Sequence, residues 1–397
     1  MKKNPLKPAL MEHRAGAVKH VAACFFISLV TSIPAFAQET AMNELIEGLQ
    51  PMAGHSFTAH AQDPEGSWRF VPADDEALSI EGRVDREDPA SPVFIWQGTA
   101  VRTRFTGTKI GLRFEGARDR NIYNVIIDGK ASILRLENGL EYDYVLDTAL
   151  EDGPHELLLV KRSEAMYGEA RFKGLLIDGD ARIGPRTEPL PLKIEFYGDS
   201  ITAGACNEIP DGNDDYDDLA EHNNWNSYGA ITARRLNAEY ANISYSGIGL
   251  RYSWHPLLLP EVWDRLYPRA DSPVHRFDER KPDIVVLNLG QNDQGYPDSI
   301  KKPFPADFKD GYVELVQAMR LRYPQAWIVC ATGGMGAIQT SRALNSALLK
   351  AQKELAGDSK ILFMKFKAFT WNHPRVDTHE KMAAELEAFI REKIPLF

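Results

Sequence analysis

Four short segments of this sequence carry groups that, brought together, could perform acyl transfer. Gly198-Asp199-Ser200, inside IEFYGDSITAG (194–204), places a hydroxyl just past an apolar stretch that ends at Tyr197. A serine is a poor nucleophile unaided, so chemistry there requires a base and hydrogen-bond donors for the charge that develops on a carbonyl oxygen. Gly247, in NISYSG, can bring its backbone N–H close to a substrate oxygen with no side chain in the way. Asn292, in GQND, offers a side-chain amide, and His373, in WNHP, offers an imidazole. Taken alone, Gly-Asp-Ser reads equally well as a turn with a helix-capping serine.

Placement of the elements strengthens the chemical reading. From residue 193 onward, strand-like runs alternate with helix-period segments. The strands are expected at Lys193–Tyr197, Ala241–Tyr245, Asp283–Leu289, Ala326–Ala331 and Ile361–Phe366. Phe308, Tyr312, Leu315, Val316 and Met319 make one apolar helical stripe, and Met382, Leu386, Phe389 and Ile390 another. Such alternation predicts a parallel sheet flanked by helices, with its active site at the carboxyl ends of the strands. Ser200, Gly247, Asn292 and His373 each lie just past one of those ends.

The preceding region is different. Val101, Thr103 and Phe105, then Ile110, Leu112 and Phe114, alternate with polar neighbours, and Asp128-Gly129 signals a hairpin. Short strands with turns about every ten residues predict a β-sandwich over 55–180. A proline-bearing linker over 181–192 separates it from the α/β domain at 193–397.

GDSITAG, the glycine of NISYSG, GQND and the terminal HP pair together resemble the four blocks of the SGNH (GDSL-type) hydrolase superfamily. Upstream, FTGTKIGLRFEG, VIIDGK, DGPHELLLVKRSE and GEARFKGLLIDG, joined directly to IEFYGDSITAG, are similar to carbohydrate esterase family 2. That resemblance spans nearly all of the chain after residue 37. It implies an N-terminal jelly roll, an SGNH domain, and removal of acetyl groups from plant polysaccharides such as xylan and mannan. It further implies Ser200 as nucleophile and His373 as general base and acid. The oxyanion hole would comprise the backbone N–H groups of Ser200 and Gly247 and the amide of Asn292. No cofactor is implied. Two other readings stay open: an SGNH esterase acting on a peptidoglycan or lipid ester, and an inactive carbohydrate-binding protein.

One departure stands out. SGNH members usually carry an Asp two or three residues before the catalytic histidine, where this chain has Thr370 and Trp371. Either a backbone carbonyl orients His373 in a Ser–His dyad, or the acid–base pair lies elsewhere, with Asp377 and His379 as the rival. Trp225, Trp254 and Trp371 are candidates for stacking on sugar faces. Asp199 and Asp293 are expected to fix their own loops by hydrogen bonds. The acidic run Asp211 to Glu221 (DGNDDYDDLAE) reads as a solvated loop, since its spacing departs from the EF-hand pattern. No Cys/His cluster has metal-ligand spacing, and no Gly-rich phosphate loop is present.

Composition limits the partners. Lys2, Lys3, Lys7, Arg14 and Lys19 precede the apolar run Val21 to Val30 and the Ala35-Phe36-Ala37 site, which predicts a signal peptide over 1–37 and export to the periplasm or medium. An N-terminal segment at 38–54 follows. Removing 1–37 leaves 41 basic and 55 acidic residues, a net charge of −14. Such a surface disfavours nucleic acid and anionic membranes. The expected partner is an acetylated polysaccharide or oligosaccharide; the oligomeric state is not legible. Cys330, within WIVCAT, reads as a buried small hydrophobe.

Overall fold

The computed structural model describes residues 50–396 except 52–54, 62–63, 65, 119, 186–187, 211–213 and 217. The expected signal peptide and most of the segment 38–54 lie outside the described residues. No described helix is long and apolar enough to cross a membrane.

Apart from one short 3-10 turn at Ala165–Tyr167, the regular elements described in the N-terminal part are β-strands. Its first strands are β1 (Gln50–Pro51), β2 (Phe57–His60), β3 (Trp68–Pro72), β4 (Ser79–Glu81), β5 (Val84–Asp85), β6 (Val93–Phe94) and β7 (Ala100–Thr106). They are followed by β8 (Ile110–Glu115), β9 (Ile122–Ile127), β10 (Lys130–Arg135), β11 (Tyr142–Leu146), β12 (Pro154–Lys161) and β13 (Ala170–Asp178). One sheet runs β1-β10-β9-β12-β7-β4 and the other β2-β11-β8-β13-β6-β5, with β3 added against β13. Asp128 and Gly129, at φ 49° and 79°, close the β9–β10 hairpin, as a two-residue turn with positive φ at both positions should.

Strand β12 shows why its sequence departs from simple alternation. Leu157 and Leu159 enter the core between the two sheets. Leu158 and Val160, on the opposite face, pack with Ala100, Ile126 and Trp225 against the second domain. Both faces are covered, so the strand reads as a continuous apolar run.

The second domain has strands β14 (Leu192–Gly198), β15 (Ala238–Ser244), β16 (Ile284–Asn288), β17 (Trp327–Met335) and β18 (Ile361–Thr370). All pair in parallel in the order β15-β14-β16-β17-β18. The main helices are α1 (Ser200–Ala203), α2 (Tyr228–Arg235), α3 (Leu259–Val262), α4 (Gln291–Ser299), α5 (Phe308–Arg322), α6 (Gly336–Thr340), α7 (Arg342–Leu355) and α8 (Val376–Lys393). Stripe residues Phe308, Tyr312, Leu315, Val316 and Met319 of α5 are buried in the core on one side of the sheet. Met382, Leu386 and Ile390 of α8 are buried on the other, with Phe389 partly buried beside them. The chain order reverses at β14, which is the position where a parallel sheet opens a crevice at its carboxyl edge.

Polar groups join the domains. Arg83, wholly buried, donates to Glu195 Oε1 at 2.8 Å and to the Tyr197 hydroxyl at 2.7 Å on β14. Its other nitrogen donates to the carbonyls of Trp263 and Arg265. A charge removed from water is costly unless it is partnered, so truncating Arg83 would leave Glu195 buried and short of a cation.

Candidate active site

Ser200 opens helix α1 at the carboxyl end of β14. Asp199 caps that helix, accepting the Ile201 N–H at 3.1 Å. Gly198 is required by close approach: a Cβ there would stand 2.6 Å from the carbonyl oxygen of Asn288 and collide with Thr202. The sharp turn leaves Ser200 only 4% exposed, with its Oγ 2.7 Å from His373 Nε2, 173 residues away in sequence.

His373 sits between the end of β18 and the start of α8. Its Nδ1 lies 2.6 Å from Asp214 Oδ2, which also accepts the His373 backbone N–H at 3.2 Å. The other carboxylate oxygen accepts from Arg375 at 2.9 Å, and the same arginine nitrogen donates to the His373 carbonyl at 3.0 Å. Burial opposes ionisation of Asp214, but the bonds from His373 and Arg375 prevail and hold its carboxyl well below the usual range. An ionised carboxylate accepts only, so Nδ1 carries the proton and Nε2 presents its lone pair to Ser200. The acidic run read as a solvated loop therefore supplies the carboxylate absent from positions 370 and 371, and no backbone carbonyl is needed for the orienting role.

The loop after β15 turns at Gly247, with φ 79°. A Cβ there would meet the His255 ring at 3.0 Å and Trp254 Cβ at 3.1 Å, so conformation and space both call for glycine. Asn292, in the first turn of α4, donates to the Ile248 carbonyl at 2.7 Å and reaches Asp199 Oδ2 at 3.4 Å. It thereby spans the Gly247 loop and the Ser200 loop. Asp293 accepts three N–H groups, from Leu250, Arg251 and Tyr252, at 2.6–2.9 Å. Asp199 thus fixes its own loop as expected, whereas Asp293, expected to do the same, instead holds the 250–252 segment that follows Gly247.

Family models match both domains: Carbohydrate esterase 2 N-terminal over 80–186 and GDSL-like Lipase/Acylhydrolase family over 196–386. A family two carbohydrate esterase from Clostridium thermocellum, solved in complex with cellohexaose, is 30% identical. The match covers 80% of this chain and 99% of that one, with a TM-score of 0.72. The chain belongs to carbohydrate esterase family 2. The Cellulase/esterase CelE of Acetivibrio thermocellus is 32% identical over 81% of this family 2 chain, which spans only 40% of that relative's length. An Acetylxylan esterase / glucomannan deacetylase of Cellvibrio japonicus is 24% identical over 84% of this chain and 93% of its own.

The remaining site candidates of this family 2 chain fall into different places. His379 lies inside α8, fully buried; its Nδ1 accepts the Tyr228 N–H at 3.1 Å and its ring stacks on Tyr228. Burial pushes its pKa down to about 3. Asp377 pairs instead with Lys381 at 3.0 Å on the exposed side. The two do not form the rival acid–base pair, because the helix turns them toward different surroundings. Trp225 is no rim residue either: it is buried at the domain interface with the Arg234 guanidinium 4.0 Å above its ring. Trp254 and Trp371 are exposed, at 52% and 71%. Trp254 packs edge-on against Tyr296, and its backbone N–H donates to the Gly247 carbonyl at 2.9 Å. Trp371 packs edge-on against Phe369 and lies over Gly336.

Two cysteines are described, Cys206 and Cys330, both free and buried. Donor atoms of Cys206, Asp214 and His373 lie within 4.8 Å of one another. This is the one such grouping among the described residues, and two of its members, Asp214 and His373, belong to the relay with Ser200.

Sequence reasoning missed Asp214. The absent upstream Asp, taken with Arg375 two residues beyond His373, was a usable signal: a cation beside the imidazole needs an anion, and the acidic run is the densest source.

Proposed function

We propose that this chain is an exported serine esterase that removes O-acetyl groups from plant polysaccharides or their oligosaccharides, xylan and mannan or glucomannan among them, through an acetyl-serine intermediate. The observation that carries the reading is the relay Ser200 Oγ–His373–Asp214, at 2.7 and 2.6 Å. Family membership, the names of the two curated relatives and the cellohexaose bound to the solved relative support a carbohydrate ester as substrate.

In the first half-reaction His373 Nε2 takes the Ser200 proton while Oγ attacks the acetyl carbonyl. The tetrahedral oxyanion is stabilised by the Ser200 and Gly247 N–H groups and by Asn292, whose long 3.4 Å contact to Asp199 is the one it can relinquish. Imidazolium then protonates the departing sugar oxygen and the C–O bond breaks. Water, deprotonated by the same nitrogen, adds to the acetyl-serine, and Ser200 leaves with the returned proton as acetate is released. Asp214 keeps its charge throughout and stabilises the imidazolium.

The test is acetate release from 4-nitrophenyl acetate and from acetylated xylan and glucomannan by the purified chain, with Ser200→Ala inactive on all three. A wild type that binds the polymer but frees no acetate would make the chain a binding protein instead.

A further inference from the structure

A glutamate from the other domain stands between two loops that the esterase chemistry needs. Glu164, just after β12 of the β-sandwich, is 1% exposed. Its Oε2 accepts the backbone N–H of Ser246 at 3.0 Å and its Oε1 accepts the Ser246 hydroxyl at 2.7 Å. Ser246 immediately precedes Gly247. The same carboxylate stands 3.9 Å from His222 Nδ1. His222 Nε2, in turn, lies 3.0 Å from the carbonyl oxygen of Asp215, the residue after Asp214.

We propose that Glu164 and His222 are positioning residues that set the oxyanion-hole loop and the Asp214 loop relative to one another, so that the β-sandwich domain takes part in the spatial definition of the active site. The inference rests on the esterase reading given above.

Three features favour this over simple adhesion between domains. First, the contact is aimed: both donors of one residue, adjacent to a proposed oxyanion donor, meet one carboxylate. Second, a buried carboxylate is costly unless its oxygens are satisfied, and the groups that satisfy these belong to the catalytic loops. Third, His222 reaches the Asp214 loop directly: the Asp215 carbonyl can only accept, so at 3.0 Å the His222 Nε2–H is the donor. That bond holds the loop that carries Asp214. Gln97 of the β-domain supports the same region, donating to Asn242 Oδ1 and to the Ser244 carbonyl at 2.9 Å and accepting the Ala165 N–H at 3.0 Å. The chain entering the Ser246 turn is thus held from the β-sandwich side as well.

The experiment uses the full chain, with kcat and KM for 4-nitrophenyl acetate and the inhibition constant of phenylboronic acid, which forms a tetrahedral adduct on the nucleophilic serine. Glu164→Gln is expected to lower kcat about 10- to 100-fold, the scale of a misplaced or partly lost oxyanion donor, with KM nearly unchanged. Its boronate affinity should fall by a similar factor. His222→Gln should lower kcat in the same direction. A folded Glu164→Gln enzyme with wild-type kcat and boronate affinity, whatever its melting temperature, overturns the inference. Should that variant fail to fold, Ser246→Ala decides: it loses only the 2.7 Å hydroxyl contact, and an unchanged kcat is again the overturning result. Failure of the esterase reading looks different, since wild type would then be inactive or Ser200→Ala would retain activity.

Discussion

Asp214 reaches His373 across 159 residues of sequence, at 2.6 Å from Nδ1, from a loop outside the segment that carries the histidine. In this arrangement the base and its orienting acid come from separate loops, joined by Arg375, which touches both. The acid contributes orientation and charge while the backbone bond to the His373 N–H fixes the loop against the strand end.

Asp214→Asn is therefore expected to reduce kcat on the order of 1,000- to 10,000-fold, the scale seen when a triad acid becomes an amide. The amide can donate to the imidazole and favour the tautomer with its proton on Nε2, which cannot accept from Ser200. KM for 4-nitrophenyl acetate should move little, because Asp214 lies on the Nδ1 side of the imidazole, away from Ser200 on Nε2. A variant within ten-fold of wild type would mean that His373 is oriented by another group.

How far the sequence could be read follows the range of the interactions. Strands β14 to β17 show in their apolar runs because burial on both faces leaves a local mark, whereas β18, at the sheet edge, is mostly half-buried and has exposed Lys365 and Lys367 within its run. Ser200, Asn292 and His373 are locatable because a parallel sheet turns strand ends into a shared rim. Asp214 is different. Six acids crowd residues 211–221, and only the fold determines which one meets an imidazole. Trp225 misleads for a related reason: a tryptophan flanked by Asn224 and Asn226 reads as a polar loop, whereas the β-sandwich covers it. Glu164 belongs to the same class, being visible only once the two domains are placed together.

Asn292→Ala removes one donor aimed at the developing charge and leaves Ser200, His373 and Asp214 untouched. The loss should be about 100- to 1,000-fold in kcat with a small change in KM, since the bond matters most in the transition state. Steady-state kinetics on 4-nitrophenyl acetate measures it. An effect confined to KM would remove Asn292 from the oxyanion hole.

Trp254, whose backbone N–H bonds the Gly247 carbonyl, and Trp371, two residues before His373, offer exposed ring surface. Replacing either by Ala should raise KM for acetylated xylan or glucomannan roughly 10-fold, about 1.4 kcal/mol, while leaving 4-nitrophenyl acetate turnover near wild type. Equal losses on both substrates would assign these rings to the shape of the catalytic loops and not to sugar contact.

Asp199 makes a prediction about pH and stability. Burial, reinforced by the charges of Asp293 and Glu164, raises its pKa from 3.8 to about 7 against the opposing Ile201 N–H bond. An unfolded chain gives up this proton near the ordinary value, so between those two pH values the folded chain holds more protons. Stability then falls as pH rises through that window, and the full penalty is present above it. Asp199→Asn removes the titration while its side-chain oxygen can still accept the Ile201 N–H that caps α1. The variant should gain melting temperature relative to wild type as pH increases from about 4 to about 7, with the difference constant above. Differential scanning calorimetry across that range decides it, and a difference independent of pH would mean that Asp199 is ionised in the folded protein throughout.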